Sequence, residues 1–476
     1  AIPYLTPSPF WISMRPAVLA LRVAALCFPY ARAVLLQQRH AVKPLPPVVS
    51  GTQLLEPLEM EGQKPIFVDA FLSKEGTAVY VVLNFSPLFG PQSKANSFRQ
   101  WMAGSHASAP KWSCSWSPPP EQRGAFGLET SEVHPAVEEA SILFNSLDEI
   151  VASPAVSLTR FETGLDGDDD TTAQGLATQF RYRHHAMVLG CRLPELMQGL
   201  PSWRLGISAM SGDTQLYERS RIPVQRDSFV REGTETALCT MVNKVSELLQ
   251  PWAKFHAGIG FDQILIYVEN EDTAAAERAL ADLIEQGKVT IVPFFFGSVS
   301  KQGAFHLQAG MEQHCLYQAR GRAAWLGHAD EDEFFELRQS ASGGIKQFLA
   351  SVPGDVAAVS VRSQQWRIAA NNTAGSLAFP CYVTCKRPGY YPTDKRTKWI
   401  ARPGQVSVSN PHVVESAGHV HVANPDNELR LNHFRHIKSG MTSTDNNGCS
   451  EDLSFRDRCD ALVKAPLAQR TLKNGR

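Results

Sequence analysis

At 476 residues, the chain exceeds the usual length of one domain, about 150 residues, and therefore predicts more than one domain. Hydrophobic residues make up 43% of the sequence, an ordinary share for a globular protein that buries large cores. The formal net charge is −1 and the charges are mixed rather than in blocks, which argues against nucleic acid as the partner.

The amino-terminal segment, residues 1–59, contains the most apolar terminal stretch, Phe10 to Leu36. Arginines interrupt this stretch, and its charge-free runs are far shorter than the ~20 residues that a membrane span needs. An intact transmembrane helix is therefore not expected. A degenerate signal anchor or an amphipathic segment that associates with a membrane stays open. Pro44 to Pro47 then predicts a stiff linker.

Residues 60–235 predict an all-β module without obvious chemistry. Two strand-like runs, Pro65 to Phe71 and Thr77 to Phe85, flank Lys74 to Gly76, which suits a hairpin turn. Further strand-like runs follow at Phe180 to Leu189, Trp203 to Met210 and Ser220 to Val224.

The periodicity changes after Thr236, and residues 236–445 predict alternating strands and helices. Thr273 is a predicted helix cap, and Gly258 and Gly260 are predicted helix stops. The predicted elements are strand Thr236 to Val242, helix Val245 to His256, strand Gln263 to Val268, helix Thr273 to Gln286, strand Val289 to Phe296 and helix Ala304 to Arg320. This order is typical of a doubly wound α/β nucleotide-binding half.

A buried strand containing Ala324 to Leu326 follows, and four acids come directly after it: Asp330, Glu331, Asp332 and Glu333. In open α/β sheets, ligands bind beyond the carboxyl ends of the strands. If the strand continues, Asp330 and Asp332 point to one face and suit Mn²⁺ or Mg²⁺. The alternative for an isolated Asp-x-Asp is a solvated acidic turn.

The same half contains neither GxGxxG nor GxxxxGK[ST], which disfavours a dinucleotide fold or a P-loop. A nucleotide held through an Asp-x-Asp metal is instead typical of glycosyl transfer from a nucleotide-sugar. A hydrolase that uses the acids Asp330 to Glu333, and a noncatalytic carbohydrate-binding protein on a transferase scaffold, stay open as alternatives.

Ordered motifs over roughly residues 60–440 resemble glycosyltransferase family 92, the group once called domain of unknown function 23. The segments that carry the resemblance are Trp252 with His256, Tyr267-Val-Glu-Asn270, Trp325 to Phe334, Ser363-Gln-Gln-Trp366 with Asn371 to Ser376, Lys398-Trp-Ile-Ala-Arg-Pro403 with His412, and His433-Phe-Arg-His-Ile-Lys438. The segment from Trp325 is one residue longer than the family pattern before its first Asp. Asn243 is followed by Lys244 where the family has Asn-Glu.

The resemblance implies a GT-A catalytic domain preceded by the all-β module. It further implies a UDP-sugar donor, often UDP-galactose, a glycan or glycoprotein acceptor, Mn²⁺ (or Mg²⁺) dependence, inversion at the anomeric carbon and a Golgi location.

For the site, the resemblance implies that Asp330 and Asp332 bind the metal, with His412 and His433 as candidates for a late His ligand. Asp394, Glu333 and His433 are candidate bases, because an acceptor hydroxyl needs a proton acceptor. The remaining candidates contact the nucleotide, the diphosphate or the acceptor sugar: Tyr267, Glu269, Asn270, Arg435, Lys438 and Trp366. For Trp366 a packed core position is the alternative, and for Arg435 and Lys438 a solvated basic turn.

Nine cysteines are scattered without a paired zinc pattern. Several disulfides are compatible with a luminal chain, for example Cys449 with Cys459. The polar tail, residues 446–476, predicts no more than a disulfide-closed appendage.

Overall fold

The structure is a computed structural model, and all of the residues it describes belong to one compact unit, Leu54–Arg476. The described residues are 66–85, 111–117, 142–145, 185–193, 204–211, 213–270, 273–296, 307–338, 344–367, 385–386, 397–409, 411–412, 414–416, 418–434, 450–451 and 454–464. Within these ranges, no helix is long and apolar enough to cross a membrane. The predicted amino-terminal segment, residues 1–59, lies outside them.

Seven antiparallel strands come first in the described part of the chain. They are β1 (Ile66–Leu72), β2 (Ala78–Phe85), β3 (Lys111–Ser117), β4 (Ile142–Asn145), β5 (His185–Arg192), β6 (Arg204–Ser211) and β7 (Thr214–Pro223). One sheet has the order β1-β2-β5-β4 and another the order β3-β6-β7. The Cys114–Cys191 disulfide joins the two sheets. The predicted hairpin between β1 and β2 is confirmed, with Gly76 at φ 72° in the turn. That residues 60–235 are β throughout stays a prediction.

The predicted alternation of strands and helices is confirmed over the next segment. Its elements are β8 (Thr234–Val242), α1 (Leu249–Ile259), β9 (Gln263–Val268), α2 (Ala274–Ala279), α3 (Ala281–Glu285), β10 (Val289–Pro293), α4 (Gln308–Ala319) and β11 (Ala323–His328). The strands β10-β9-β8-β11 are parallel neighbours. Every residue of β9 is buried, as its continuous apolar run predicts for a strand covered on both faces.

Three helix predictions were wrong in detail. Helix α1 begins at Leu249, four residues after the predicted start, although Gly260 ends it as predicted with φ 114°. The helix predicted from Thr273 to Gln286 is split at Leu280, whose φ is −117°. Thr273 does not cap a backbone amide; its hydroxyl donates instead to the Glu277 carboxylate at 3.0 Å.

The chain then extends the sheet and builds a second one. The remaining elements are β12 (Glu333–Leu337), α5 (Gly344–Ser351), β13 (Val356–Val361), β14 (Ser363–Arg367), β15 (Cys385–Lys386), β16 (Lys398–Ala401), β17 (Val406–Ser409), β18 (Val414–Ser416), β19 (His419–Val422), β20 (Leu429–Phe434), β21 (Ser450–Glu451) and α6 (Ser454–Lys464). The large sheet has the order β10-β9-β8-β11-β16-β13-β19, and the second has β12-β20-β14-β15-β21. Strand β16 runs antiparallel to β11 and β13, so the large sheet is mixed.

Hydrophobic cores cover both faces of the large sheet, because neighbouring residues of a strand point to opposite faces. Leu238 and Ile264 belong to a core shared with α1 and the second sheet. Ala237 and Leu265 belong to a core shared with α4 and with β1 and β2. The Cys239–Cys315 disulfide joins β8 to α4. Cys459 is also disulfide-bonded, whereas Cys449 lies outside the described residues.

A buried polar chain ties the first sheet to α4. The Tyr267 hydroxyl donates to His314 Nδ1 at 2.8 Å, and His314 Nε2 donates to Asp69 Oδ2 at 2.9 Å. Asp69 lies on β1 and Tyr267 on β9, so these bonds connect the first sheet with the second strand from one edge of the large sheet. Since Tyr267 and His314 are almost completely buried, these bonds satisfy polar groups that would otherwise be costly inside the protein.

Candidate functional site

The four acids form a tight turn between β11 and β12. Strand β11 lies near the middle of the large sheet, with Trp325 and Leu326 buried, so the predicted strand is confirmed. The Glu333 amide donates to the Asp330 carbonyl at 2.9 Å, and the Asp330 amide donates to Glu333 Oε2 at 2.9 Å. These two bonds close the turn at the carboxyl end of a strand whose parallel neighbours end at the same edge.

The two aspartates do not share one strand face, because β11 ends at His328 and a turn replaces the expected continuation. Asp330 approaches Lys398 and His328, whereas Asp332 approaches His433. The Asp330 side chain is 37% exposed and that of Asp332 17%. Both carboxylates are therefore partly accessible, but they have different neighbours.

Lys398 lies directly against the turn. Its ammonium is 3.0 Å from Asp330 Oδ2 and 3.2 Å from Glu333 Oε2, and the Lys398 side chain is completely buried. A buried ammonium needs such partners, because burial without an opposite charge is strongly unfavourable. In the sequence, Lys398 belonged to a motif but had no predicted role. A single lysine beside the apolar Trp399, Ile400 and Ala401 was the signal that could have found it.

The shared ammonium separates the protonation states of the two carboxyl groups. Burial opposes the ionisation of Asp330, but Lys398 and the His328 ring outweigh it and hold the pKa of Asp330 well below its usual range. Burial raises the pKa of Glu333 to about 8. The nearby Asp330 and Asp332 also raise this pKa, and the attraction of Lys398 only partly offsets them. One cation thus faces one ionised and one protonated carboxyl group at neutral pH.

Further titratable groups are buried behind the turn. His328 Nε2 is 3.3 Å from Glu312 Oε1 and 3.6 Å from Asp330 Oδ1. Burial raises the pKa of Glu312 well above its usual range, and burial together with Lys398 lowers the pKa of His328. Burial thus favours the neutral form of Glu312 and of His328.

The two late histidines lie on different sides of the turn. The His412 Nδ1 is 3.0 Å from the Thr397 carbonyl, and burial, with repulsion from Lys398, lowers the pKa of His412 to about 4. His433 lies on β20, paired with Glu333 of β12. Its Nε2 is 3.8 Å from Asp332 Oδ2. Its Nδ1 is 3.6 Å from Glu333 Oε1.

Asp332 and His433 are the pair that fits a divalent cation best. A carboxylate oxygen and an imidazole nitrogen suit Mn²⁺, and both side chains are partly exposed. The Asp330 carboxylate forms an ion pair with Lys398, and the positive charge of Lys398 also acts on His412. Across the described part of the chain, no three His, Cys, Asp or Glu side chains assemble into a metal site. Two protein ligands suit a metal that a substrate's phosphates complete.

Helix α1 holds the strand that follows the turn. The Trp252 indole donates to the Glu333 carbonyl at 2.8 Å, and the Phe335 amide donates to His256 Nε2 at 3.3 Å. His256 Nδ1 donates to the Trp252 carbonyl at 2.9 Å, which fixes the neutral tautomer, and burial lowers the pKa of His256 to about 3. The sequence predicted Trp252 and His256 as motif residues that pack the helix; in the structure both are buried and also bond to the backbone of β12.

The predicted nucleotide contacts divide between the interior and the sheet edge. Tyr267 is fully buried and bonded to His314, an interior position. Glu269 and Asn270 follow β9 at the same edge as Asp330. The Asn243 amide lies 3.4 Å from Glu269 Oε2, and the Asn270 amide 3.4 Å from the Asn243 carbonyl.

Trp366 is fully buried, stacks on Phe434 with ring centroids 5.6 Å apart, and donates to Asn432 Oδ1 at 2.9 Å. This position favours the packing alternative over a sugar platform. The other predicted site residues, Asp394, Arg435 and Lys438, lie outside the described residues.

Comparison with known proteins gives two kinds of match. The family model described as Glycosyltransferase family 92 matches residues 237–469. Two Ricinus communis sequences, each named a glycosyltransferase family 92 protein, are 32% and 30% identical over 103 residues. The matched segment is 22% of this chain but only 17% and 16% of those relatives' length.

Proposed function

We propose that the chain is a metal-dependent, inverting glycosyltransferase with a GT-A type catalytic domain, because the family model described as Glycosyltransferase family 92 matches residues 237–469. It transfers a hexose, with galactose as the first candidate, from a UDP-sugar to a glycan or glycoprotein acceptor. The observation that carries the proposal is the acidic turn at the carboxyl end of β11, where Asp332 and His433 approach each other to 3.8 Å.

Asp332 and His433 are the proposed ligands of Mn²⁺ or Mg²⁺. When bound, the metal supplies positive charge that offsets the charge developing on the departing UDP. The donor's own phosphate oxygens complete the coordination, because these cations are commonly held by one or two carboxylates plus phosphates. Arg435 and Lys438 follow His433 in the chain and are proposed partners of the same diphosphate, since both residue types neutralise phosphate.

The proposed base is Asp394, which accepts the proton of the acceptor hydroxyl on the face opposite the leaving group. Glu333 is a weaker candidate, because its side chain is buried and its pKa of about 8 keeps it protonated at neutral pH. His433 is assigned to the metal for the reason given above. Glu269 and Asn270, directly after β9, are the proposed contacts to the nucleotide; Asn270 is the stronger candidate, because it is exposed whereas Glu269 is buried.

The arrangement favours transfer over hydrolysis by an acid/base pair. A hydrolytic pair needs two carboxyl groups that both reach the substrate. Here Asp330 is bound by Lys398 and Glu333 is buried. The described disulfides support the proposed secretory-pathway location, in the Golgi or another lumen, because cytosolic proteins rarely keep disulfides.

The experiment is a screen of UDP-sugars for Mn²⁺-dependent UDP release with the full chain and glycan acceptors. The proposal expects turnover with at least one donor, its loss on chelation, and a fall of about 100-fold or more in Asp332→Asn, comparable to losing one transition-state charge contact. Asp355→Asn is the control, since Asp355 lies in the loop before β13, outside the proposed site. Glycan binding without UDP release from any donor would contradict the proposal and favour the noncatalytic alternative.

A further inference from the structure

Lys398 is set against the acidic turn by strand pairing. Strand β16 runs antiparallel to β11, with Ala401 opposite Leu326 and Ile400 opposite Gly327. Continuing this register places Lys398 beside the residues that follow β11, which are the start of the turn. The lysine therefore does not reach the turn by a flexible side chain alone, because a ladder of backbone hydrogen bonds fixes its position.

Its ammonium is committed to two carboxyl groups of that turn. The distances to Asp330 Oδ2 and Glu333 Oε2 are 3.0 and 3.2 Å, and none of the Lys398 side chain is exposed to solvent. The partners Asp330 and Glu333 lie on either side of Asp332 in the sequence, while the Asp332 carboxylate approaches His433 on β20. Asp330 thus faces Lys398 and Asp332 faces His433, whereas Glu333 reaches both, with its Oε1 3.6 Å from His433 Nδ1.

A metal ion cannot use Asp330 in this arrangement without lying close to an ammonium. Two cations a few ångströms apart repel strongly in a partly buried site, where the effective dielectric constant is about 20 or less. A cation at Asp332 and His433 avoids that position. It then receives only one carboxylate from the protein, which is a small charge for a divalent ion.

We propose that Lys398 is an internal counter-cation that withholds Asp330 from the metal, so that Mn²⁺ binds firmly only together with the nucleotide diphosphate. The inference rests on the proposed function, because it concerns the same metal. By linkage, each of the two ligands strengthens the binding of the other by the same factor. Lys398 is a positioning residue, since it is buried and acts through the turn.

The test measures Mn²⁺ affinity directly, from the electron paramagnetic resonance signal of free Mn²⁺ titrated with the full chain, without UDP and with saturating UDP. Four proteins are compared: the unsubstituted chain, Asp330→Asn, Asp332→Asn and Lys398→Met. Asp330→Asn and Asp332→Asn form a matched pair, because each removes one carboxylate charge from the same turn. Circular dichroism establishes which variants fold.

For the unsubstituted chain, UDP should tighten Mn²⁺ binding by about tenfold or more, within the usual range of coupling between linked ligands. Asp332→Asn should weaken Mn²⁺ binding in the presence of UDP by at least about tenfold. Asp330→Asn should weaken it by less than about fivefold, because Asp330 is paired with Lys398 and is not a proposed ligand. Lys398→Met should tighten Mn²⁺ binding without UDP by about tenfold or more, because a neighbouring cation is removed and the Asp330 carboxylate is released.

A role of Lys398 in packing alone would not increase metal affinity, so the gain in Lys398→Met is the discriminating result. Equal losses in Asp330→Asn and Asp332→Asn would overturn the inference, as would a folded Lys398→Met that binds no tighter, or Mn²⁺ binding that ignores UDP. If Lys398→Met does not fold, the inference stands or falls with the comparison of Mn²⁺ affinity between Asp330→Asn and Asp332→Asn.

The inference and the proposed function fail separately. UDP release that depends on Mn²⁺, together with equal losses in both aspartate variants, would refute the counter-cation and leave the transferase standing. The expected pattern of Mn²⁺ affinities without sugar transfer from any donor would support the counter-cation and refute the proposed transferase activity. Absence of Mn²⁺ binding even with UDP would overturn the counter-cation together with the metal part of the proposed function.

Discussion

The hydrogen bond from Trp252 to the Glu333 carbonyl offers a test of how helix α1 positions the acidic turn. In Trp252→Phe the donor is lost, and the buried carbonyl is left without this partner, which costs about 1–3 kcal/mol. The smaller ring also leaves roughly 40 Å³ unfilled, worth about 1 kcal/mol at ~24 cal/mol per Å³. The free energy of unfolding should therefore fall by about 2–4 kcal/mol.

The same substitution should also lower sugar transfer, because the carbonyl belongs to the residue that closes the turn. A displacement of about 1 Å at a reacting centre lowers rates by up to ~100-fold, so a loss of about tenfold to 100-fold in kcat is expected. Phe255→Leu is the matched control: Phe255 lies on the same helix, is buried, and packs on Phe334 without a polar contact.

Urea unfolding followed by fluorescence gives the stability change, read from the midpoint at constant slope. UDP release under Mn²⁺ gives the activity. Phe255→Leu should lose about 1–2 kcal/mol and keep its activity. If Trp252→Phe is as active as the unsubstituted chain, or if both variants lose activity in proportion to stability, the positioning argument is refuted.

Two further predictions concern His256 of α1 and Glu336 of β12. The pKa of His256 is about 3 in the folded protein against an ordinary value of 6.5, so between these pH values the unfolded chain binds more protons. The free energy of unfolding should therefore fall as the pH drops from about 6.5 to 3. His256→Gln should flatten this part of a plot of urea midpoint against pH, and an unchanged plot would contradict the prediction. Glu336 is buried and accepts hydrogen bonds from Arg430 Nε at 2.5 Å, Asn432 Nδ2 at 2.7 Å and Arg338 at 2.9 Å, and from Arg458. Glu336→Gln should cost about 3–5 kcal/mol, because it leaves a buried guanidinium uncompensated. Glu428→Gln, a partly exposed control that also lies beside β20, should cost under about 1 kcal/mol. Equal losses of stability in Glu336→Gln and Glu428→Gln would show that the buried hydrogen bonds of Glu336 stabilise the fold no more than a partly exposed glutamate does.

Features that depend on near neighbours in the chain were predictable. Strand β9 follows from its apolar run. Gly260 ends α1 because it adopts φ 114°, which other residues rarely do. The position of the acids after a buried strand placed them at the edge of the sheet. The start of α1 was harder, since apolar spacing alone does not show which residues of a periodic stretch lie outside the helix.

Features that depend on distant partners were not predictable. Lys398 meets Asp330 across 68 positions and His314 meets Asp69 across 245, and no local pattern encodes either pair. The same holds for Tyr267. Its position in a strand did not show whether its side chain lies in the interior or at the edge of the sheet where the nucleotide was predicted to bind.

The sequence by itself therefore determined the kind of domain, its order of strands and helices, and where its acids are concentrated, because backbone periodicity and burial are properties of consecutive residues. Only the tertiary structure decided which acid each cation faces. Electrostatic pairing depends on distance in space, and the antiparallel insertion of β16 beside β11 brings Lys398 to Asp330 and leaves Asp332 to His433.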